Sequence, residues 1–181
     1  MESNVRITNI SIRNFKNVNK GEISFVNSRK NFKASVLGLY GQNGSGKTAL
    51  IDALELLKGA LCEFEIPDKF ADYINVDSDG SEIEYSFDVI LDETVYPVVY
   101  SLTILRETVQ DSGNTESAIE ERERYKAKVL NEVLKCQAKT PSGKLRMGRI
   151  IDTESTAVFV PKAKYDLLVG GNKETSTDLL V

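Results

Sequence analysis

Apolar side chains alternate roughly with polar ones over residues 5–15, where Val5, Ile7, Ile10, Ile12 and Phe15 are the apolar members, and this pattern predicts a β-strand. Residues 16–21 are a polar turn. GEISFV (21–26) reads as a second strand that pairs back on the first. After a charged loop at 27–31, ASVLGLY (34–40) is a short, nearly unbroken apolar run, the pattern of a central strand buried on both faces. The period then changes. Over 48–63, Leu50, Ile51, Leu54, Leu57 and Leu61 recur every three or four positions. Ala49, Ala53, Leu56 and Ala60 widen that stripe, which predicts a mostly buried helix. Further on, KFADYI after Pro67 suggests a short helical turn, and DSDG (77–80) a tight turn. SEIEYSFDVIL (81–91) and VYPVVYSLTIL (95–105) alternate cleanly around residues 92–94 and form the strongest hairpin signal in the chain. Residues 110–117 read as a polar loop. Residues 119–136 fit either state: Tyr125, Val129, Val133 and Cys136 suit a helix, while Tyr125, Ala127, Val129 and Val133 suit a strand. KTPSGK (139–144) is a turn between that segment and two more strands, LRMGRII (145–151) and TAVFV (156–160).

The apolar run at 34–40 leads directly into GQNGSGKT (41–48), which matches the phosphate-binding pattern GxxxxGK[ST] in full and adds a glycine at Gly44. The chemistry explains each residue type. A triphosphate needs many donors at close range, and Gly44 and Gly46 let backbone N–H groups approach it. Lys47 reaches phosphate oxygens as a point charge, and the Thr48 hydroxyl is a ligand for Mg²⁺. A helix opening here adds its N-terminal amides and dipole. Gln42 and Asn43 orient phosphate or metal, or simply shape the loop with Gly41 and Ser45. A chance glycine turn is the bland alternative, and the strand-then-helix context weighs against it.

Composition narrows the chemistry more than it identifies it. The chain has 181 residues, with 41% apolar and 28% charged, which suits one soluble globular domain rather than two. No stretch has the length and apolarity of a membrane span, and the N-terminus lacks the features of a signal peptide, so the expected setting is cytoplasmic. Cys62 and Cys136 form no CxxC pair and read as simple thiols. The net charge of −4 argues against a wholly basic nucleic-acid-gripping surface but leaves room for a local basic patch. There is no histidine, which excludes Ser-His-Asp and Cys-His catalysis and histidine-ligated metals.

The segment ITNISIRNFKNV, a second short strand, then LYGQNGSGKTALIDAL resembles the opening of ABC-type ATPases of the SMC, RecF and OLD group, which serve DNA maintenance and phage defence. The GxNGxGKT form with Asn43 and the NFK step at 14–16 carry the resemblance over residues 5–58. It implies an α/β P-loop NTPase lobe with a mixed sheet, a P-loop helix and an antiparallel strand-rich insertion, binding ATP with Mg²⁺. It also implies that the adenine rests near the first strands, which makes Arg13 and Lys16 candidate nucleotide neighbours. Their alternative is a solvated strand end.

Such ATPases also need a Walker B acid at the end of a buried strand and a signature sequence. FDVILDE (87–93) imitates the first with Asp92 and Glu93, but TVYPVVYSL follows at once, so hairpin turn residues are the better reading. LLVGG (167–171) lacks the serine of LSGG, and ten residues after it leave no room for the helix and strand that follow a signature. DSDG and GNKET (171–175) resemble GTPase motifs, but Thr175 stands where NKxD has its aspartate. The expectation is one ATP-binding lobe of a longer protein, completed by a homodimer partner or a second lobe, with possible DNA contact through the whole. Competing readings are a self-sufficient small P-loop kinase relying on Asp92 or Glu93, a GTPase, and a non-hydrolysing dimerisation domain.

Overall fold

Strand β1, Ser3–Phe15, changes phase part-way along. Its pairing with β3, Gly80–Leu91, runs Val5 to Val89 and Ile7 to Phe87, then skips Thr8 and resumes with Ile10 opposite Tyr85 and Ile12 opposite Ile83. The bulge puts odd residues before Thr8 and even residues after it on one face, which is why alternation in 5–15 is only approximate. The Thr8 carbonyl, freed from the ladder, accepts from the Phe25 N–H at 2.9 Å.

The computed structural model describes residues 3–26, 37–62, 66–91, 93–109, 124–139 and 145–153. Besides β1 and β3 these hold β2 (Val18–Ser24), α1 (Lys47–Leu61), a one-turn α2 (Lys69–Asp72), β4 (Thr94–Val109), β5 (Arg124–Lys139) and β6 (Leu145–Asp152). The strands form one sheet in the order β2-β1-β3-β4-β5-β6. Every pairing among the described residues is antiparallel, so the sheet there is not the mixed one expected. A parallel pair requires a crossover connection, whereas the β1–β2 and β3–β4 links are tight turns.

The expected central strand at 34–40 is where sequence and structure part. Residues 37–40 carry no strand, Leu37 is exposed and Tyr40 almost completely so, at 95%. Residues 34–36 lie outside the described residues. An apolar run is buried only if neighbours exist to cover it, and in this sheet β1 already has β2 and β3 on its two edges. The other elements follow the pattern with shifted bounds. The second strand begins at Val18 rather than residue 21, because the turn before it is only Lys16 and Asn17. The predicted hairpin is β3–β4, with Gly80 opposite Leu105 and Leu91 opposite Thr94. DSDG is the turn that opens β3. Residues 119–136 resolve as strand from Arg124 onward. The loop at 110–117, the turn residues 140–144, the strand at 156–160, and the 167–171 and 171–175 motifs lie outside the described residues.

The core lies between α1 and one face of the sheet. Ala49, Leu50, Ala53, Leu56 and Leu57 meet Ile10, Ile12, Ile83, Tyr85, Tyr100 and Leu102. Each fully buried leucine or isoleucine contributes about 1.5–3 kcal/mol. Tyr85 joins the layers chemically, since its hydroxyl donates to the Ala53 carbonyl at 2.6 Å. At the end of β1, Phe15 stacks with Phe70 and meets Tyr73 edge-on. The Arg106 guanidinium caps carbonyls of the α2 region, those of Ala71 at 3.2 Å and Ile74 at 2.8 Å. Among the described residues no helix is long and apolar enough to cross a membrane.

Candidate functional site

The 41–48 loop runs from exposed Tyr40 into α1. Gly44 and Gly46 have φ of 84° and 85°, the left-handed region that L-residues resist. Gly46 is doubly required, because a Cβ there would stand 2.9 Å from the Val18 Cγ2. Gly46 is also the N-cap of α1, with no side chain capping the helix. The first intrahelical bond is the Leu50 N–H to the Gly46 carbonyl at 3.2 Å. The first-turn amides are thus left to an outside acceptor, and with the helix dipole they favour an anion.

Lys47 is folded back over this cradle. Its ammonium donates to the carbonyls of Gly41 and Gln42, both at 2.7 Å, and to the Ser45 hydroxyl at 3.1 Å. The Ser45 N–H donates to the Gln42 carbonyl at 3.3 Å. The ammonium therefore sits over the loop, held by neutral acceptors that leave its charge without an anionic partner there. Gln42, Asn43 and Thr48 are exposed. Thr48 is the second residue of α1, where its hydroxyl is open to a cation. A cleft of about 280 Å³ adjoins the loop, lined by Ile12, Val18 and Ile23 of the β1–β2 hairpin and by Leu39, Ser45 and Lys47. Its lining is mostly apolar, with Glu22, Ser45 and Lys47 among the polar members, as in many small-molecule sites.

Arg13 and Lys16 part company. Arg13 pairs with Glu82 at 3.6 Å on the surface, both side chains about half exposed. Lys16, with φ of 53°, turns inward to an ion pair with Asp52 of α1, and its ammonium lies 4.0 Å from the centroid of the Tyr73 ring. Among the described residues, the hydrogen bond that reaches the loop from this hairpin comes instead from Asn17, whose carboxamide donates to the Gly44 carbonyl. Asn17 and Asp52 belong to no motif in the sequence. The available signal for Asp52 was a carboxylate inside the apolar stripe of a helix, which calls for a partner. Glu93 lies in the β3–β4 turn with φ of 67°, as hairpin chemistry requires, and Asp92 lies outside the described residues.

Two phenols lie in the core between α1 and the sheet. Burial raises Tyr85 and Tyr100 well above the usual tyrosine range, and for Tyr100 the bond to Glu132 adds to the effect.

No curated protein and no solved structure matches the chain. The profile of a family described as AAA ATPase domain matches residues 6–154, which include β1, the glycine loop, α1 and the antiparallel strands through β6. That span is most of the sequence, and the chain belongs to the AAA ATPase domain family.

Proposed function

We propose that residues 41–48 are a Walker-type P-loop that holds the phosphates of ATP, and that this chain is one lobe of an ABC-type ATPase of the SMC, RecF and OLD group. The observation that carries the reading is Lys47 lying over the loop with three neutral acceptors, beside an uncapped helix N-terminus. Gly41, Gln42, Asn43, Gly44, Ser45 and Gly46 supply the backbone cradle. Lys47 exchanges its loop carbonyls for phosphate oxygens and stabilises charge on them during hydrolysis. Mg²⁺ suits the donor set, because Thr48 offers one hard oxygen and the cation takes its other ligands from phosphate and water. When bound, the ion neutralises charge between the terminal phosphates.

The cleft against β1–β2 is the natural place for the nucleoside; Arg13 and Lys16, the neighbours that the resemblance implies, are held by Glu82 and Asp52 and do not line it. A homodimer partner or a second lobe supplies the Walker B acid, the signature and the parallel strands, so the chain alone turns over ATP weakly. A cytoplasmic role in DNA metabolism or phage defence accords with the resemblance. One feature favours a nucleic-acid contact: residues 124–152 hold eight Lys and Arg against two carboxylates, in a chain of net charge −4. Lys135 faces Arg149 across β5–β6; Asp152 pairs with Arg149, and a phosphate would offer a counter-charge to Lys135.

The test is a titration with adenosine, AMP, ADP and ATP, each with Mg²⁺. Recognition through the loop requires affinity to climb with phosphate number. Adenosine binding as tightly as ATP would sink the reading.

A further inference from the structure

We propose that Asn17 is a positioning residue for the phosphate loop, setting the orientation of the peptide between Gly44 and Ser45 from outside the loop. The inference deepens the ATP-binding reading and rests on it for its functional consequence. In an anion-binding loop the N–H groups face the ligand and the carbonyls face away. Loop carbonyls are thus free to be held from behind, and a carbonyl that is held fixes the N–H on the other side of the same rigid peptide plane. The Gly44 carbonyl accepts from the Asn17 carboxamide, and the Ser45 N–H at the other end of that plane donates within the loop, to the Gln42 carbonyl at 3.3 Å, so the peptide is held at both ends. Gly44 needs such a restraint, since its φ of 84° lies in a region that glycine leaves readily.

The base from which Asn17 acts is itself anchored. One residue before it, the Lys16 ammonium is ion-paired to Asp52 of α1, and the Lys16 N–H donates to the Tyr73 carbonyl at 2.5 Å. One residue after it, Val18 packs so closely on Gly46 that no Cβ fits between them. Residues 16–18 therefore touch the loop at Gly44 and Gly46 and the helix at Asp52. Asn17 donates to the loop while its side chain remains exposed, so its contribution to the core is small.

Two variants of the whole chain separate positioning from packing. Asn17→Leu keeps the side-chain shape and removes the donor, and Asn17→Asp keeps the size and turns the donor into an acceptor. In ligand-free protein, amide ¹H–¹⁵N spectra should show Ser45 and Gly46 shifted in both variants, while Leu56 and Leu57, later in α1, stay in place. MgATP affinity should fall about three- to tenfold in Asn17→Leu, the loss of one hydrogen bond, with the unfolding midpoint unchanged. Unmoved Ser45 and Gly46 resonances, or wild-type ATP affinity in Asn17→Leu, overturns the positioning role. Absence of ATP binding in the wild type overturns the phosphate reading instead, and the ligand-free spectra still decide whether Asn17 orients the loop.

Discussion

The ion pair between Lys16 and Asp52 ties the β1–β2 turn to α1, and its removal has a calculable consequence. Its side chains are 23% and 12% exposed, so it lies between two regimes. Exposed pairs contribute about 0–1 kcal/mol, whereas removing one partner of a fully buried pair costs about 3–5 kcal/mol. Asp52→Asn leaves an ammonium that keeps the Tyr73 ring at 4.0 Å and has a short route to water, so about 1–2 kcal/mol is expected. Lys16→Met is the harsher change. It strands a carboxylate in the more buried position, on a helix face flanked by Ala49 and Ala53, and should cost about 2–3 kcal/mol. The double variant replaces both charges, so it should be less destabilised than the sum, with a coupling energy of about 1–2 kcal/mol. Urea unfolding gives each value, and a thermal midpoint falls about 2–4 °C per kcal/mol for a chain of this size. Additive single variants, within about 0.5 kcal/mol, would refute the pair as a structural tie. So would Asp52→Asn proving costlier than Lys16→Met.

Other consequences are as direct. A methyl at Gly44 meets only the Asn17 carboxamide at an ordinary 4.0 Å, so Gly44→Ala should cost about 1–2 kcal/mol in backbone strain, whereas Gly46→Ala also drives a methyl onto Val18. Adding Val18→Ala to Gly46→Ala should recover part of the loss and should recover nothing with Gly44→Ala, as read from urea midpoints. Leu56→Ala, at a fully buried position, should destabilise by about 2–5 kcal/mol, while Ile51→Ala on the exposed side of the same helix should cost under about 1 kcal/mol. The raised Tyr85 and Tyr100 fix a pH dependence. Their folded pKa values lie above the unfolded value of about 10, so the stability from the neutral phenols is complete below that pH and is lost as pH rises past it. Absorbance at the tyrosinate band should show two of the seven tyrosines ionising only with unfolding.

Much of this was legible in the residues, and the failures have identifiable causes. The helix after the loop was plain because its apolar stripe is wide and its glycines mark the start. The β3–β4 hairpin was plain because its alternation is unbroken over both strands. β5 was ambiguous for a structural reason. Leu130 is skipped in the pairing with β4, so odd residues such as Ala127 face the core side before it, and even residues such as Leu134 after it. That single bulge breaks the period of two and imitates the three-and-four spacing of a helix. The apolar run misled over residues 37–40, its described part, because apolarity reports a demand for burial, and only the sheet order says whether a neighbour is there to meet it. Within the candidate site, the glycine turn into α1 could be read directly, since Gly44 and Gly46 mark it locally in sequence. Asn17 and Asp52 could not, because their partners lie 27 and 36 residues away.

The central claim is that the 41–48 loop holds ATP through Lys47, and calorimetric titration of MgATP into the wild-type chain and into Lys47→Ala tests it most directly. Lys47 should contribute charge-assisted bonds worth about 1.5–3 kcal/mol, so the variant should bind about ten- to a hundredfold more weakly while its unfolding midpoint stays close to wild type. No binding by the wild type, or equal binding by Lys47→Ala, would contradict it.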